Sequence, residues 1–201
     1  SCSATDCVEG NGHVVEQVRQ ITGIQSVEVS GAFEVLLTVG AEESLVVSAD
    51  ENLLPFLTTT TQGEELSIST SRSVCSENPM EIRLSVRQLT SVRSDGASDF
   101  KITGVDGQIL RLYFSGASDI SVVGDVDSFT VVLSGASDLD AAGLRAGRAK
   151  VTISGSAEAR VNVKDSLDAE ITGVGDIYFL GNPTITIKDQ SGLGEVLPLE
   201  D

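Results

Sequence analysis

One short turn sequence recurs along the C-terminal half of this chain, and its spacing restricts the fold more than any other feature. The copies are Gly96-Ala97-Ser98-Asp99, Gly116-Ala117-Ser118-Asp119 and Gly135-Ala136-Ser137-Asp138. Looser copies follow at Gly155-Ser156-Ala157-Glu158, Gly173-Val174-Gly175-Asp176 and Gly192-Leu193-Gly194-Glu195. The steps from glycine to glycine are 20, 19, 20, 18 and 19 residues. A repeat of this length and regularity is the signature of stacked equivalent units, none of which can bury its apolar face alone. A further relative, Ser30-Gly31-Ala32-Phe33-Glu34, stands well upstream.

Between the turns the units share one pattern. An apolar residue follows each acid: Phe100, Ile120, Leu139, Ala159, Ile177 and Val196. Another follows two positions later at Ile102, Val122, Ala141, Val161 and Phe179. Alternation at period two marks a half-buried strand. A second alternating run leads to the next turn, as in Leu110-Leu112-Phe114 and Phe129-Val131-Leu133. The pattern predicts an all-β, single-stranded right-handed parallel β-helix, a β-solenoid with coils of about 19–20 residues stacked ~4.8 Å apart. The leucine-rich signature is missing, the helical repeats are longer, and a strict six-residue step is not present.

The turn residues have structural readings. Gly96, Gly116, Gly135, Gly155, Gly173 and Gly192 are expected at corners, where positive φ costs glycine nothing. The neighbouring alanine is expected inside the corner, with Ser and Asp bonded to nearby backbone N–H groups. A second reading of the acids is a calcium ladder formed by Asp99, Asp119 and Asp138, because a hard cation relieves repulsion between stacked carboxylates.

The first ninety residues are strand-rich and less regular. Strands are expected within 24–39, 44–48, 65–70 and 81–86, with a turn or a single helical turn at 52–56. Gly31 to Gly96 covers 65 residues, which reads as about three earlier, modified coils plus a loop. The domain reading is a flexible tether at 1–12 and a single solenoid domain at 13–201, irregular over 13–93 and regular over 94–201.

Charge narrows the partners. Lys plus Arg total 13 against 30 Asp plus Glu, a net charge of −17. Such a chain repels nucleic-acid phosphates and anionic membranes. No apolar run is long enough to span a bilayer. The three cysteines, Cys2, Cys7 and Cys75, lack a C-x-x-C pair, and one histidine cannot complete an ordinary zinc site. In an oxidising compartment they read as one disulfide and one leftover thiol, with Cys7 and Cys75 the expected pair; three free thiols is the alternative. Cys2, followed by a polar run, stands where a lipoprotein carries its lipidated cysteine. That reading implies an exported protein, held as an outer-membrane lipoprotein at the cell surface or on the periplasmic face, and touching the membrane only through its lipid.

Gly10-Asn11-Gly12, the segment 19–29, Ala49-Asp50-Glu51-Asn52-Leu53-Leu54 and the turn copies, taken together, resemble the putative auto-transporter adhesin family, also called the head GIN domain. The likeness covers residues 10–199. It implies a β-helical envelope protein of Gram-negative bacteria, often with a lipoprotein-type start, and it defines no catalytic or ligand residues.

Chemistry is thin in the sequence. The even coils between Gly96 and Gly192 leave no room for the inserted loops that build a glycosidase cleft with its paired carboxylates. Ser115 and Ser134 do not lie in a nucleophile elbow. His13 stands near the N-terminus without an evident partner. Arg145, Arg148 and Lys150 read as a solvated basic face. The expected function is therefore a non-enzymatic envelope module that binds a surface glycan or protein, with no cofactor and no assigned oligomeric state. A purely structural scaffold or partner-docking protein is the alternative, and a carbohydrate-active enzyme the third.

Overall fold

In the computed structural model, which describes residues 7–199, the alternating segments form an all-β fold. The strands are β1 (Val8–Glu9), β2 (Val14–Arg19), β3 (Ser26–Ser30), β4 (Glu34–Val39), β5 (Ser44–Asp50), β6 (Leu57–Gln62), β7 (Glu65–Thr70), β8 (Val74–Cys75) and β9 (Glu81–Val86). They continue as β10 (Ser91–Ser94), β11 (Asp99–Phe114), β12 (Asp119–Leu133), β13 (Asp138–Ile153), β14 (Ala159–Ile171), β15 (Ile177–Leu180), β16 (Thr184–Asp189) and β17 (Val196–Pro198). A single 3-10 turn at Leu54–Phe56 interrupts them. All but β1 and β8 join one large sheet that does not close into a barrel.

The repeat becomes a parallel stack. β11, β12, β13 and β14 pair in sequence order, so each residue lies beside its counterpart one repeat earlier. Bends within these long strands divide them between two faces. On one face Phe100, Ile120, Leu139, Ala159 and Ile177 line up in register. On the other, Leu110, Phe129, Ala149 and Leu167 do the same. All of these are buried, so the two columns face each other across one continuous core. Each column is a run of large residues with one small one in it, Ala159 beside Leu139 on the first face and Ala149 beside Phe129 on the second, and the layers stay closely packed. Phe100 and Phe114 meet edge to face across the core, with ring centroids 5.0 Å apart.

The N-terminal half does not stack in chain order. Gly31 lies directly against Gly96, and Ala97 N–H donates to the Gly31 carbonyl at 2.8 Å. β3 pairs with β10 and β4 with β11, so 26–39 is the layer next to the regular repeat. Residues 65–86 lie on its far side, with β7 on β3 and β9 on β4. The expected run of three intervening coils is therefore incorrect. The 65 residues leave the stack, build the end layer and return. Antiparallel strands finish that end: β6 on β7, and β5 with β2 beyond β9. Arg19 of β2 donates to Thr59 of β6 at 3.0 Å, joining the two finishing pieces.

The expected tether at 1–12 needs correction at its C-terminal part. β1 pairs in parallel with β8, and Cys7 and Cys75 are disulfide-bonded with their Cα atoms 5.7 Å apart. Gly10 N–H donates to the Cys75 carbonyl at 2.8 Å, and Asn52 clamps the strap from both sides, donating to Glu9 O at 2.7 Å and accepting Asn11 N–H at 2.9 Å. Residues 1–6, with Cys2, lie outside the described residues.

Candidate ligand-binding face

The corner explains its own sequence, in a way that differs from the expectation. None of the six repeat glycines has positive φ. Each is required because backbone passes directly beneath it. A Cβ would meet the glycine carbonyl oxygen of the coil below at 1.9 Å on Gly96, 1.8 Å on Gly135 and 2.1 Å on Gly192. The alanines Ala97, Ala117 and Ala136 point outward, and the serines occupy the interior of the corner. Ser98 Oγ donates to Gly31 O at 3.1 Å and accepts Phe33 N–H at 3.0 Å. Ser137 repeats the pattern on Gly116 O and Ser118 N–H. These bonds join successive coils and are not local turns. The looser copies keep the rule of a small third residue, with Ala157, Gly175 and Gly194 in place of serine.

With serine turned inward, the next residue must point outward, and the acids form one file on the outer face. In space it runs Glu81, Glu34, Asp99, Asp119, Asp138, Glu158, Asp176, Glu195. The structure thus brings together Asp99, Asp119 and Asp138 and adds Glu34 and Glu81 to them. Glu34 was marked by its turn relative, whereas Glu81 follows Asn78-Pro79-Met80 and carries no glycine signal. Several of these carboxylates bond to the coil above. Asp99 Oδ1 accepts Asp119 N–H at 3.1 Å, Asp138 Oδ1 accepts Glu158 N–H at 2.9 Å, and Asp176 Oδ1 accepts Glu195 N–H at 2.8 Å. That places them as inter-coil ties. Among the described residues no cluster of three or more His, Cys, Asp or Glu is placed to hold a metal ion.

Beside the acid file runs a mixed one: Leu36, Lys101, Ser121, Asp140, Arg160 and Tyr178 in register. The two files border an open groove of about 590 Å³. Glu34, Asp99, Asp119, Asp138 and Glu158 form one side, and Phe100, Ile120 and Leu139 reach its floor. Arg160 pairs with Glu158 at 2.6 Å. The Asp176 carboxylate, 3.3 Å from the Tyr178 hydroxyl, raises the pKa of that phenol, with desolvation acting in the same direction. This face offers a row of hydrogen-bond acceptors, a few donors and a little apolar surface. That chemistry suits hydroxyl-rich or basic ligands and supplies no activated nucleophile.

The other sequence candidates lie apart. His13 Nδ1 is 3.3 Å from Glu51 Oε2, and the His13 backbone N–H donates to Asn11 Oδ1 at 3.0 Å, so the partner of the ring is a carboxylate on the strap side. The Ser134 hydroxyl donates to Phe114 O at 3.3 Å. Arg145 makes a two-pronged contact with Asp125 at 2.7 and 2.8 Å, which holds Asp125 below the usual carboxylate range. Sequence reasoning did not single out the acid at the other end of the fold, Asp50. It is 1% exposed and accepts Ser76 Oγ at 2.7 Å and Asn78 Nδ2 at 2.9 Å.

A family model described as "Putative auto-transporter adhesin, head GIN domain" matches residues 24–183. Among solved structures, a putative adhesin from Bacteroides fragilis NCTC 9343 superposes with a TM-score of 0.76 at 18% identity, covering 96% of this chain and 100% of that one. A putative adhesin from Parabacteroides merdae ATCC 43184 gives 0.61 at 17% identity, with 97% and 100% covered. A Parabacteroides distasonis ATCC 8503 structure described as a putative lipid binding protein gives 0.53 at 19% identity, with 96% and 99% covered. At these identities the likeness speaks for the fold alone. No curated protein is significantly similar in sequence.

Proposed function

Because the chain belongs to the putative auto-transporter adhesin, head GIN domain, family, we propose that it is a non-enzymatic envelope module that binds glycan or protein partners on its outer face. The observation that carries this reading is the open groove between the acid file and the mixed file. Sugars are recognised by ranks of carboxylate, amide and guanidinium groups on a rigid frame, and the parallel stack is such a frame. The family name agrees with an extracellular or envelope location. No helix among the described residues is long and apolar enough to cross a membrane.

The coil succession is read as a right-handed parallel β-helix, the hand that parallel crossovers in one sheet almost always take. The solenoid is read as one domain from residue 13 to 201, with a Cys2 lipid as the membrane anchor. A scaffold that binds no small ligand is the second reading, favoured by the inter-coil bonds that Asp99, Asp138 and Asp176 already make.

A glycan array, screened with the wild type and with an Asp119→Asn/Asp140→Asn double variant, separates the two. Hits that the variant loses support binding at the groove. No hits across neutral, acidic and amino sugars, together with no protein captured by surface crosslinking, would leave the scaffold. Cys2→Ser with cell fractionation tests the anchor, and a variant that stays in the membrane fraction refutes it.

A further inference from the structure

The two ends of the stack are finished differently. The end built by residues 14–86 is closed by antiparallel strands on both faces. At the opposite end, β16 pairs with β14 along one edge, and no strand lies along its other edge among the described residues. On the second face β17 already forms the next rung on β15. β15 and β16 both rest on β14, so a strand laid along β16 would lie level with β17 and complete a coil.

The inner side of β16 continues the core column. Ile185 is in register with Leu167 and Ile187 with Ala169. Leu167 and Ala169 are fully buried, whereas Ile185 and Ile187 remain 39% and 50% exposed. Native edges are commonly guarded by a proline, a bulge or a free lysine. Here Pro183 precedes the strand, and the register shift comes only after Ile187. The single lysine, Lys188, is tied to Asp168 at 2.8 Å. With Asp168 tied to Lys188, the remaining charges at the edge are acidic: Asp189 on β16 and Glu170 in register with it one rung below.

We propose that β16 is a docking edge that receives an extended segment of another protein by strand addition, a segment in which apolar and basic residues alternate. Main-chain bonds to the free edge supply affinity, and the side-chain period of two supplies selection. The apolar side chains cover Ile185 and Ile187, and the basic ones face Glu170 and Asp189. A second copy of this chain is a poorer occupant, because each copy carries a net charge of −17.

The test uses three fluorescent heptapeptides made from valine and charged residues: alternating Val/Lys, the same composition in two blocks, and alternating Val/Glu. The alternating basic peptide is expected to bind saturably and to slow amide exchange at 184–189 in the wild type. Ile187→Asp should weaken binding by roughly ten-fold or more, and Val18→Asp on the capped end should leave it unchanged. Circular dichroism melting confirms that both variants are folded, and the exchange map on the wild type decides without any variant. Equal binding of the block or acidic peptide, protection at β2 or β6, or unchanged binding by Ile187→Asp would each overturn the proposal. So would sedimentation showing wild-type dimers that Ile187→Asp dissolves, since the occupant would then be a second copy.

Discussion

Gly116 rests on Gly96 so closely that a Cβ on Gly116 would stand 1.6 Å from the Gly96 carbonyl oxygen. The obstacle is backbone, which cannot rotate aside as a side-chain tip can. Gly116→Ala should therefore push two coils apart and destabilise the fold by roughly 3 kcal/mol or more, the upper range for overpacking. Gly107→Ala is the control, since a Cβ there meets nothing within 4 Å. Urea midpoints of the two variants check this. Comparable losses at both positions would mean that coil spacing is not set at the corner.

The same corner shows what could be read from the sequence. Coil length and strand alternation were legible because each of Gly116, Gly135 and Gly155 stacks on a glycine about one repeat earlier. The roles inside the corner were not. Ala97 and Ser98 are both small, and composition does not say which one turns inward; only the inter-coil bonds of Ser98 decide it. The stacking of Gly31 on Gly96 was hidden by their separation, because chain order carries no signal that 65–86 swings outside 26–39. Glu81 entered the acid file without a glycine to announce it. Ile185 and Ile187 keep the period-two pattern of a covered strand, and only the lack of a further neighbour among the described residues marks them as surface.

Asp50 should make stability pH-dependent in a defined direction. Hydrogen bonds from Ser76 and then Asn78 hold its carboxyl below the usual range, with a smaller contribution from the Gly12 backbone. A lowered folded value means the contribution is present above the unfolded value of about 3.9 and is lost as pH falls through the folded one. Asp50→Asn should be destabilised relative to wild type by a constant amount above about pH 5, and the difference should shrink below about pH 4. Chemical denaturation across that range measures it, and a difference independent of pH would contradict the assignment.

The Cys7–Cys75 bridge closes a sequence separation of 68 residues. Restricting an unfolded loop of that size corresponds to about 4 kcal/mol in the chain-entropy account. Reductant should lower the melting temperature of the wild type, and Cys7→Ser should start at that lower value and ignore reductant. Exchange should quicken at Val8 and Gly10, which donate to Ser73 O and Cys75 O. A wild type whose melting is indifferent to reductant would show that the pairing with β8 and the Asn52 contacts hold β1 without the bridge.

The acid file can be tested for its structural role by separating charge from hydrogen bonding. Asp138→Asn keeps an acceptor for Glu158 N–H and removes one charge from a row of like charges. It should match or exceed wild-type stability at low salt, and the advantage should fade as salt screens the row. Asp138→Ala loses the acceptor and should be less stable than both. Millimolar calcium should leave all three melting curves where chelator leaves them. A calcium-dependent rise in the wild type that Asp138→Asn abolishes would instead favour the cation-ladder reading of Asp99, Asp119 and Asp138.

The buried serines make opposite predictions at adjacent corners. Ser137 Oγ accepts Ser118 N–H at 3.1 Å and donates to Gly116 O at 3.2 Å. Ser137→Ala leaves both groups buried without that partner and should cost roughly 1–2 kcal/mol. The Ser118 hydroxyl is also buried, yet it has no hydrogen-bond partner among the described residues. Ser118→Ala removes an unsatisfied polar group of nearly the same volume, so it should be neutral or stabilising by up to about 1 kcal/mol. The third position of the turn already tolerates this change at Ala157, which occupies it in the next-but-one coil. Denaturant midpoints of the two single variants decide the matter. If Ser118→Ala loses as much as Ser137→Ala, then the Ser118 hydroxyl holds an inter-coil bond in solution and every serine of the strict copies is an equivalent tie.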